Sequence, residues 1–481
     1  MPASVSASRV ATLLGSALER SPAYLGLADG LRLLISDGRV AGGTRLPSER
    51  ELTDALGVSR TTVTRAYGVL RERGYLESRR GSGSLARLPV PRSGGADDHL
   101  LSPGAPDSPG SDVLDLTVAA PVAPPGVAAA YEVAAEQLPG YLSGTGYFPS
   151  GLPALREALA QWYDDRGLPT DPAQVVVTSG ALAGVALSGR ALVGTGDRVV
   201  TESPTYPNAI AALRRTGARL TGVDVDPDGW DVASVEAVLR QVAARAAYLV
   251  PDFHNPTGAL MDPEQRARVG RALSRARTTA IVDETLTDLA VDDVTMPPPL
   301  AAFAPTALTV GSASKAFWGG LRIGWVRAPL DKVGALVGAR LSLDLGAPPM
   351  EQLVLTELLG RRREVLADRR AGLRASREAL VTALRTHLPG WRFAVPSGGL
   401  ALWCELPEPL SSALAGAAER HGVLLAPGAA FAPDGGLERF VRLPYTRSPD
   451  ELGVAVERLA AAWADARQSR RVGTARPTLV A

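Results

Sequence analysis

Residues 88–112 constrain this chain more than any other stretch. They are rich in Pro, Gly, Ser and Asp and poor in apolar side chains. Such a segment buries too little surface to offset the entropy of ordering, and it reads as a flexible linker, set here at 88–114. The chain must then fold as separate bodies on either side, and 481 residues give each enough length for its own core. Charge divides at the same place. Residues 1–87 hold thirteen Arg, no Lys and eight Asp or Glu, a net of +5, and the remainder holds 38 basic and 42 acidic residues, a net of −4. A basic first fifth on a nearly neutral chain points to a polyanion-binding module joined to something else. The one cysteine, Cys404, excludes an internal disulfide and a thiolate metal cluster and fits a reducing cytoplasm. The four histidines have no ligand spacing, so no metal site is expected. No basic-then-apolar leader and no apolar run of membrane-spanning length is present, so a cytoplasmic protein without a membrane partner is expected.

In the first body, apolar spacing predicts helices over residues 4–20 and 25–36. Ser48 followed by Glu51 is a capping box that starts a helix at Glu49. Gly57 ends that helix and Ser59 caps another reaching about Arg73, which makes a helix-turn-helix. Val63, Ala66, Tyr67 and Leu70 form the inner stripe of the second helix. Thr61, Thr64, Arg65 and Gly68 face outward, with Arg60 at the N-terminal edge. Arginine can bond guanine edges in the major groove, and threonine can contact phosphate or a thymine methyl. Residues 74–85 read as two short strands around a Gly/Ser tip, a wing.

Residues 23–87 resemble the winged helix-turn-helix of the GntR family. The resemblance rests on Leu46-Pro47-Ser48-Glu49-Arg50-Glu51-Leu52, Gly57-Val58-Ser59-Arg60-Thr61-Thr62-Val63 and the wing glycines. It implies that Arg50, Ser59, Arg60, Thr61, Thr62, Gly81 and Gly83 contact double-stranded operator DNA. Thr64 and Arg65 join them from their outward placement.

The second body alternates strands and helices from Asp115. Strands are expected at 175–178, 198–201, 219–223, 247–250, 279–282 and 307–310. That pattern gives an α/β domain with a mostly parallel sheet and a ligand at the strands' carboxyl ends. Residues able to do chemistry follow those strands: Ser179-Gly180-Ala181, the Tyr206 turn, His254-Asn255-Pro256, Asp283-Glu284, and Ser312-Ala313-Ser314-Lys315 with Arg322 beyond. Of 51 basic residues only Lys315 and Lys332 are lysines. Arg stays protonated, whereas a Lys amine can lose its proton and attack a carbonyl. A helix-rich smaller domain should follow, with strands near 392–395, 401–405 and 440–443. A long helix over 449–468 should close it, ahead of a loose tail.

Residues 115–465 resemble the fold-type I aminotransferases that use pyridoxal 5′-phosphate, by that set of motifs in that order. The resemblance implies a large domain at about 150–330, a small α+β domain at about 331–466 and a tail at 467–481. It implies that Lys315 carries the cofactor as a Schiff base, Asp283 pairs with its ring nitrogen, Asn255 bonds the ring oxygen and Tyr206 stacks on the ring. Ser179, Gly180, Ala181, Ser312, Ser314 and Arg322 would hold its phosphate. Arg442 would clamp a substrate carboxylate, and Tyr141 or Tyr147 would approach across a homodimer interface. The sequence departs from the family at Thr285 and Leu286, where a tyrosine is usual. That leaves Asn255 as the main partner of the ring oxygen, with Thr285 a weaker substitute. A winged helix joined to such a domain is the architecture of the MocR subfamily. It implies a transcriptional regulator sensing pyridoxal phosphate or an amino compound, or alternatively a working transaminase with an accessory DNA-binding domain.

Overall fold

The computed structural model describes residues 4–15, 22–36, 39–40, 43–79, 83–87, 112–226 and 228–473. The linker up to residue 111 and the wing tip 80–82, with Gly81, lie outside them. The chain divides into two compact units, Met1–Ser102 with Ala123–Val133, and Pro103–Val122 with Ala134–Ala481.

In the first unit, α1 (Ala7–Leu14), α2 (Ala23–Ser36), α3 (Glu49–Leu56) and α4 (Arg60–Glu72) surround one apolar core. The helix expected over 4–20 is described only as α1, since 16–20 lie outside the described residues. The capping box forms: Ser48 Oγ accepts from Glu51 N, and Glu51 Oε2 accepts from Ser48 N at 2.8 Å. Gly57 closes α3 in the left-handed region, and Ser59 Oγ accepts from Thr62 N at 3.1 Å to open α4. Val63, Ala66, Tyr67 and Leu70 are buried, and the Tyr67 hydroxyl donates to the Pro47 carbonyl at 2.7 Å. The wing strands β1 (Leu76–Arg79) and β2 (Gly83–Ala86) pair antiparallel.

The first strand of the second unit is β3 (Leu114–Asp115), which begins at the last residue of the stretch assigned to the linker. Its large sheet comprises β4 (Val175–Thr178), β5 (Arg198–Ser203), β6 (Arg219–Asp226), β7 (Gly229–Trp230), β8 (Ala246–Leu249), β9 (Thr279–Asp283), β10 (Leu308–Ser312) and β11 (Gly324–Arg327). The order is β4-β11-β10-β9-β8-β5-β6-β7, parallel from β10 through β6. Sequence patterning did not reveal β11, which returns antiparallel between β4 and β10, or the short β7. Buried Val, Ile, Ala and Leu side chains fill both faces, as a sheet covered on two sides requires.

The small domain holds β12 (Ala401–Glu405), β13 (Val423–Leu424), β14 (Ala426–Pro427) and β15 (Phe440–Pro444). Its antiparallel sheet is ordered β12-β15-β14, and β13 pairs with β3. The expected strand at 392–395 is reduced to one bridge, Arg392 with Glu405, and residues 393–395 add no further rung. The last helix, Pro449–Gly473, runs past residue 468 into the segment expected to be a loose tail. No helix among the described residues is long and apolar enough to cross a membrane.

Candidate functional site

The carboxyl ends of β4, β5, β8, β9 and β10 meet at one edge of the sheet, around a cavity of about 410 Å³. Lys315 enters it from the short helical turn Ala313–Ala316 after β10, which Ser312 caps by accepting from Ser314 N at 3.1 Å. Lys315 Nζ donates to the Ala119 carbonyl at 2.8 Å. Burial first, then the nearby Arg442 and Arg322 charges, lower its pKa to about 8. A substantial fraction is therefore neutral and nucleophilic near neutral pH.

Asp283 ends β9. Its Oδ2 accepts from the Tyr248 hydroxyl at 2.7 Å and its Oδ1 from Thr285 N at 2.9 Å. Burial raises its pKa, against which these hydrogen bonds work. Tyr248 sits on the adjacent β8, where the register pairs it with Ile281, two residues before the aspartate. Sequence patterning could not single it out, because an alternating apolar strand carries no sign of which tyrosine reaches a neighbour's carboxylate. Asn255 Oδ1 accepts from Arg442 Nη1 at 3.2 Å. Arg442 also donates through Nη2 to the Thr117 carbonyl and lies 4.9 Å over the Phe431 ring. Burial lowers its pKa to about 10, with Tyr206 and Asp115 pulling the other way. Tyr206 lines the cavity, its hydroxyl accepting from Asn208 Nδ2 at 3.0 Å.

At the opposite end lie Ala181, Ser312, Ser314 and Arg322. No side chain caps the N-terminus of the helix Ala181–Leu192, which leaves its first N–H groups and positive dipole end for an anion. Gly180 has φ +97°, and a Cβ there would stand 2.8 Å from Arg322 Nη2. Gly324, at the start of β11, packs on the same turn: its Cβ would stand 2.5 Å from the Gly180 carbonyl carbon. Both positions require glycine.

Nine of the expected residues thus line one cavity: Lys315, Asp283, Asn255, Tyr206, Ala181, Ser312, Ser314, Arg322 and Arg442. Ser179 and Gly180 do not line it. The Ser179 hydroxyl turns to Asp344 Oδ2 at 3.5 Å, its carbonyl accepts from Arg322, and Arg322 fills the space beside Gly180. Tyr147 is also outside the cavity and 63% exposed. Thr285 lines the cavity with its hydroxyl buried and unpartnered. Beneath the floor lies another group that no motif announces. Glu202 accepts from Trp230 Nε1 at 2.6 Å and Val250 N at 2.8 Å, with His254 Nε2 3.3 Å away.

In the first unit Arg50, Ser59, Arg60 and Thr61 are exposed, and Thr62 is half-buried with its hydroxyl 2.8 Å from Ser59 Oγ. Thr64 and Arg65 are exposed but engaged: Thr64 Oγ1 donates to Glu49 at 2.6 Å, and the Arg65 guanidinium lies 4.2 Å over the Tyr24 ring. Gly83 is exposed at the start of β2.

Residues 133–459 match the family model described as aminotransferase class I and II. The chain belongs to that family. Residues 23–85 of this aminotransferase-family chain match the bacterial regulatory proteins of the gntR family, so a DNA-binding module precedes the aminotransferase domain, a MocR-type fusion. Two relatives share both parts. YisV of Bacillus subtilis, an uncharacterized HTH-type transcriptional regulator, is 29% identical over 86% of this chain and 90% of its own. The HTH-type transcriptional regulator TauR of Rhodobacter capsulatus is 29% identical over 90% and 95%. Among solved structures, LysN of Thermus thermophilus, an α-aminoadipate aminotransferase complexed with N-(5′-phosphopyridoxyl)-L-leucine, superimposes with a TM-score of 0.69 at 29% identity. The match covers 74% of this chain and 93% of LysN. The aminotransferase fold implies dependence on pyridoxal phosphate, and the donor set fits it. A buried carboxylate, an amine of lowered pKa, an aromatic ring and the uncapped start of a helix beside Arg322 all line the one cavity.

Proposed function

We propose that this protein is a DNA-binding transcriptional regulator of the cytoplasm whose aminotransferase-type domain holds pyridoxal 5′-phosphate on Lys315 and senses the cofactor or an amino compound reacting with it. The observation that carries the reading is the convergence of Lys315, Asp283 and Arg442 on one cavity in a chain that also bears a winged helix-turn-helix. When bound, pyridoxal phosphate supplies an aldehyde for covalent attachment and a ring that accepts electrons. The residues do the rest. Lys315 offers a partly neutral amine. Asp283, held by Tyr248 and Thr285, places a carboxylate where a ring nitrogen would keep its proton. Asn255 and Thr285 are set for the ring oxygen and Tyr206 for the ring face. The N–H groups of the helix beginning at Ala181, with Ser312, Ser314 and Arg322, receive the phosphate, and Arg442 receives a ligand carboxylate. Ser179 and Gly180 serve the cradle by fixing Arg322.

At the operator, Arg50, Arg60 and Thr61 are the free outward side chains. Ser59 and Thr62 fix the start of α4, and Gly83 opens the second wing strand. Thr64 and Arg65 would reach DNA only after giving up Glu49 and Tyr24. The protein acts as a homodimer, with exposed Tyr147 directed to the partner copy's site.

The test is an absorbance titration of the full chain with pyridoxal phosphate and then amino acids, run beside binding to its own promoter DNA. We expect a visible band that Lys315→Ala abolishes, and an operator affinity that shifts with ligand. Equal affinity with and without cofactor and amines would end the sensing idea. The retained carboxylate clamp Arg442 favours one second reading, a working transaminase with an accessory DNA-binding domain. Steady-state amino transfer to a keto acid, lost in Lys315→Ala, would select it.

A further inference from the structure

Three cations of the second unit, Arg442 and Arg369 buried and Lys315 half-buried, share one habit. Arg442 donates to the carbonyl of Thr117, Lys315 to that of Ala119 at 2.8 Å, and Arg369 to that of Val122 at 2.5 Å. The acceptors fall on one six-residue segment, 117–122, while the donors come from three distant elements. Apart from buried Pro121 and Ala119, which packs on the small domain's apolar cluster, the segment has few other holds. Thr117 N and Oγ1 donate to Asp115 Oδ1 at 2.7 and 2.6 Å. Among the described residues no helix or sheet bond engages 118–122, and Val118 and Val122 are 55% and 79% exposed. It follows β3 directly, and β3 follows the linker that leads from the winged helix.

The three holds differ in kind. Arg442 and Lys315 line the cavity, and Arg369 does not. Arg369 also donates to the carbonyls of Phe317 at 2.7 Å and Ala316 at 3.4 Å, so it ties the far end of the segment to the turn that carries Lys315. Arg442 Nη1 and Nη2 now rest on Asn255 Oδ1 and Thr117 O, and its Nε is buried without a partner among the described residues. A ligand carboxylate, charged and bidentate, outcompetes a neutral carbonyl for that guanidinium.

We propose that residues 117–122 are a strap that reads the carboxylate of the effector. An α-amino acid at the cofactor draws Arg442 away from Thr117 and frees the near end of the strap, while Arg369 keeps the far end anchored at Val122. This rests on the proposed cofactor and sensing role of the cavity and adds the ligand class: an amino acid, rather than a plain amine, is the effective signal. Attachment of the cofactor alone removes only the Ala119 bond, since an amine condensed with an aldehyde loses its hydrogens as water leaves.

Limited elastase digestion of the full-length protein tests this, because the enzyme cuts after small aliphatic residues and the strap offers Val118 and Ala119, whereas Pro121 blocks cutting after Ala120. The cofactor-loaded chain is digested alone, with methylamine, and with a pool of the common α-amino acids. Cleavage sites are assigned by mass, and visible absorbance is followed in parallel. Both additives should perturb the absorbance, and only the amino acids should speed cutting within 117–122. The expected gain is about tenfold, the order for losing one charge-assisted hydrogen bond when cleavage tracks the open population. Equal cutting with methylamine and amino acids, or no gain with either, overturns the strap. Failure of pyridoxal phosphate to give any visible band would instead overturn the cofactor reading itself. Arg369→Gln should cut faster within 117–122 before any ligand is added while keeping the cofactor band, and an unchanged rate refutes the anchor. Should that variant not fold, the ligand comparison on the natural protein still decides.

Discussion

Lys315 is the residue on which the site depends, and its ionisation is testable. Burial and the two neighbouring guanidiniums hold its pKa near 8. Only the free amine attacks an aldehyde, so uptake of pyridoxal phosphate should quicken from about pH 7 to about pH 9 and then level, where an ordinary lysine would keep gaining past about pH 10. Stopped-flow absorbance across that range would show it, and a flat profile would contradict it. Tyr248 is the second residue to test. Tyr248→Phe leaves buried Asp283 with one donor fewer, a loss of about 1–3 kcal/mol. We expect weaker cofactor binding by equilibrium titration with the fold retained by circular dichroism. The two residues differ in how readable they were. Lys315 stood out because the chain otherwise writes arginine. Tyr248, Glu202 and the 117–122 carbonyls carry no such mark, because their roles come from strand register and chain crossing, which arise only on folding.

At the scale of elements, the sequence was legible wherever a local rule decided the outcome. Ser48 and Glu51 wrote the start of α3, Ser59 wrote α4, and apolar runs wrote β4, β5, β8, β9 and β10. It was not legible where pairing alone decides. Gly324–Arg327 is a strand because two neighbours accept it, and 392–395 is not because only Arg392 finds a partner, Glu405. The caps allow a direct test: Ser48→Ala should cost the winged helix about 1 kcal/mol, read from its thermal unfolding. In the cradle, Gly180→Ala places a methyl against Arg322 at a backbone angle that side chains avoid. Phosphate affinity should fall, visible as a weaker cofactor titration with the Lys315 chemistry intact.

For the molecule as a whole, the linker composition calls for two bodies, and the described residues have separate apolar cores for the winged helix, the large sheet and the small domain. Removing residues 1–87 should therefore leave the cofactor band while abolishing retention of promoter DNA in a mobility-shift assay. Loss of the band on that truncation would mean that the second body depends on the first. The sequence could place neither residues 123–133, which group with the first unit, nor the short strand at Leu114–Asp115, since composition marks where a core is impossible and not where the next one begins. A last consequence concerns how such a molecule can change over generations. The turn at Gly180 and the strand start at Gly324 are 144 positions apart, yet their backbones touch with no room for a methyl between them. The two differ in what they could tolerate over generations: a methyl at Gly324 meets backbone, which cannot swing aside, whereas one at Gly180 meets the far end of the Arg322 side chain, so Gly324 is the position less free to change.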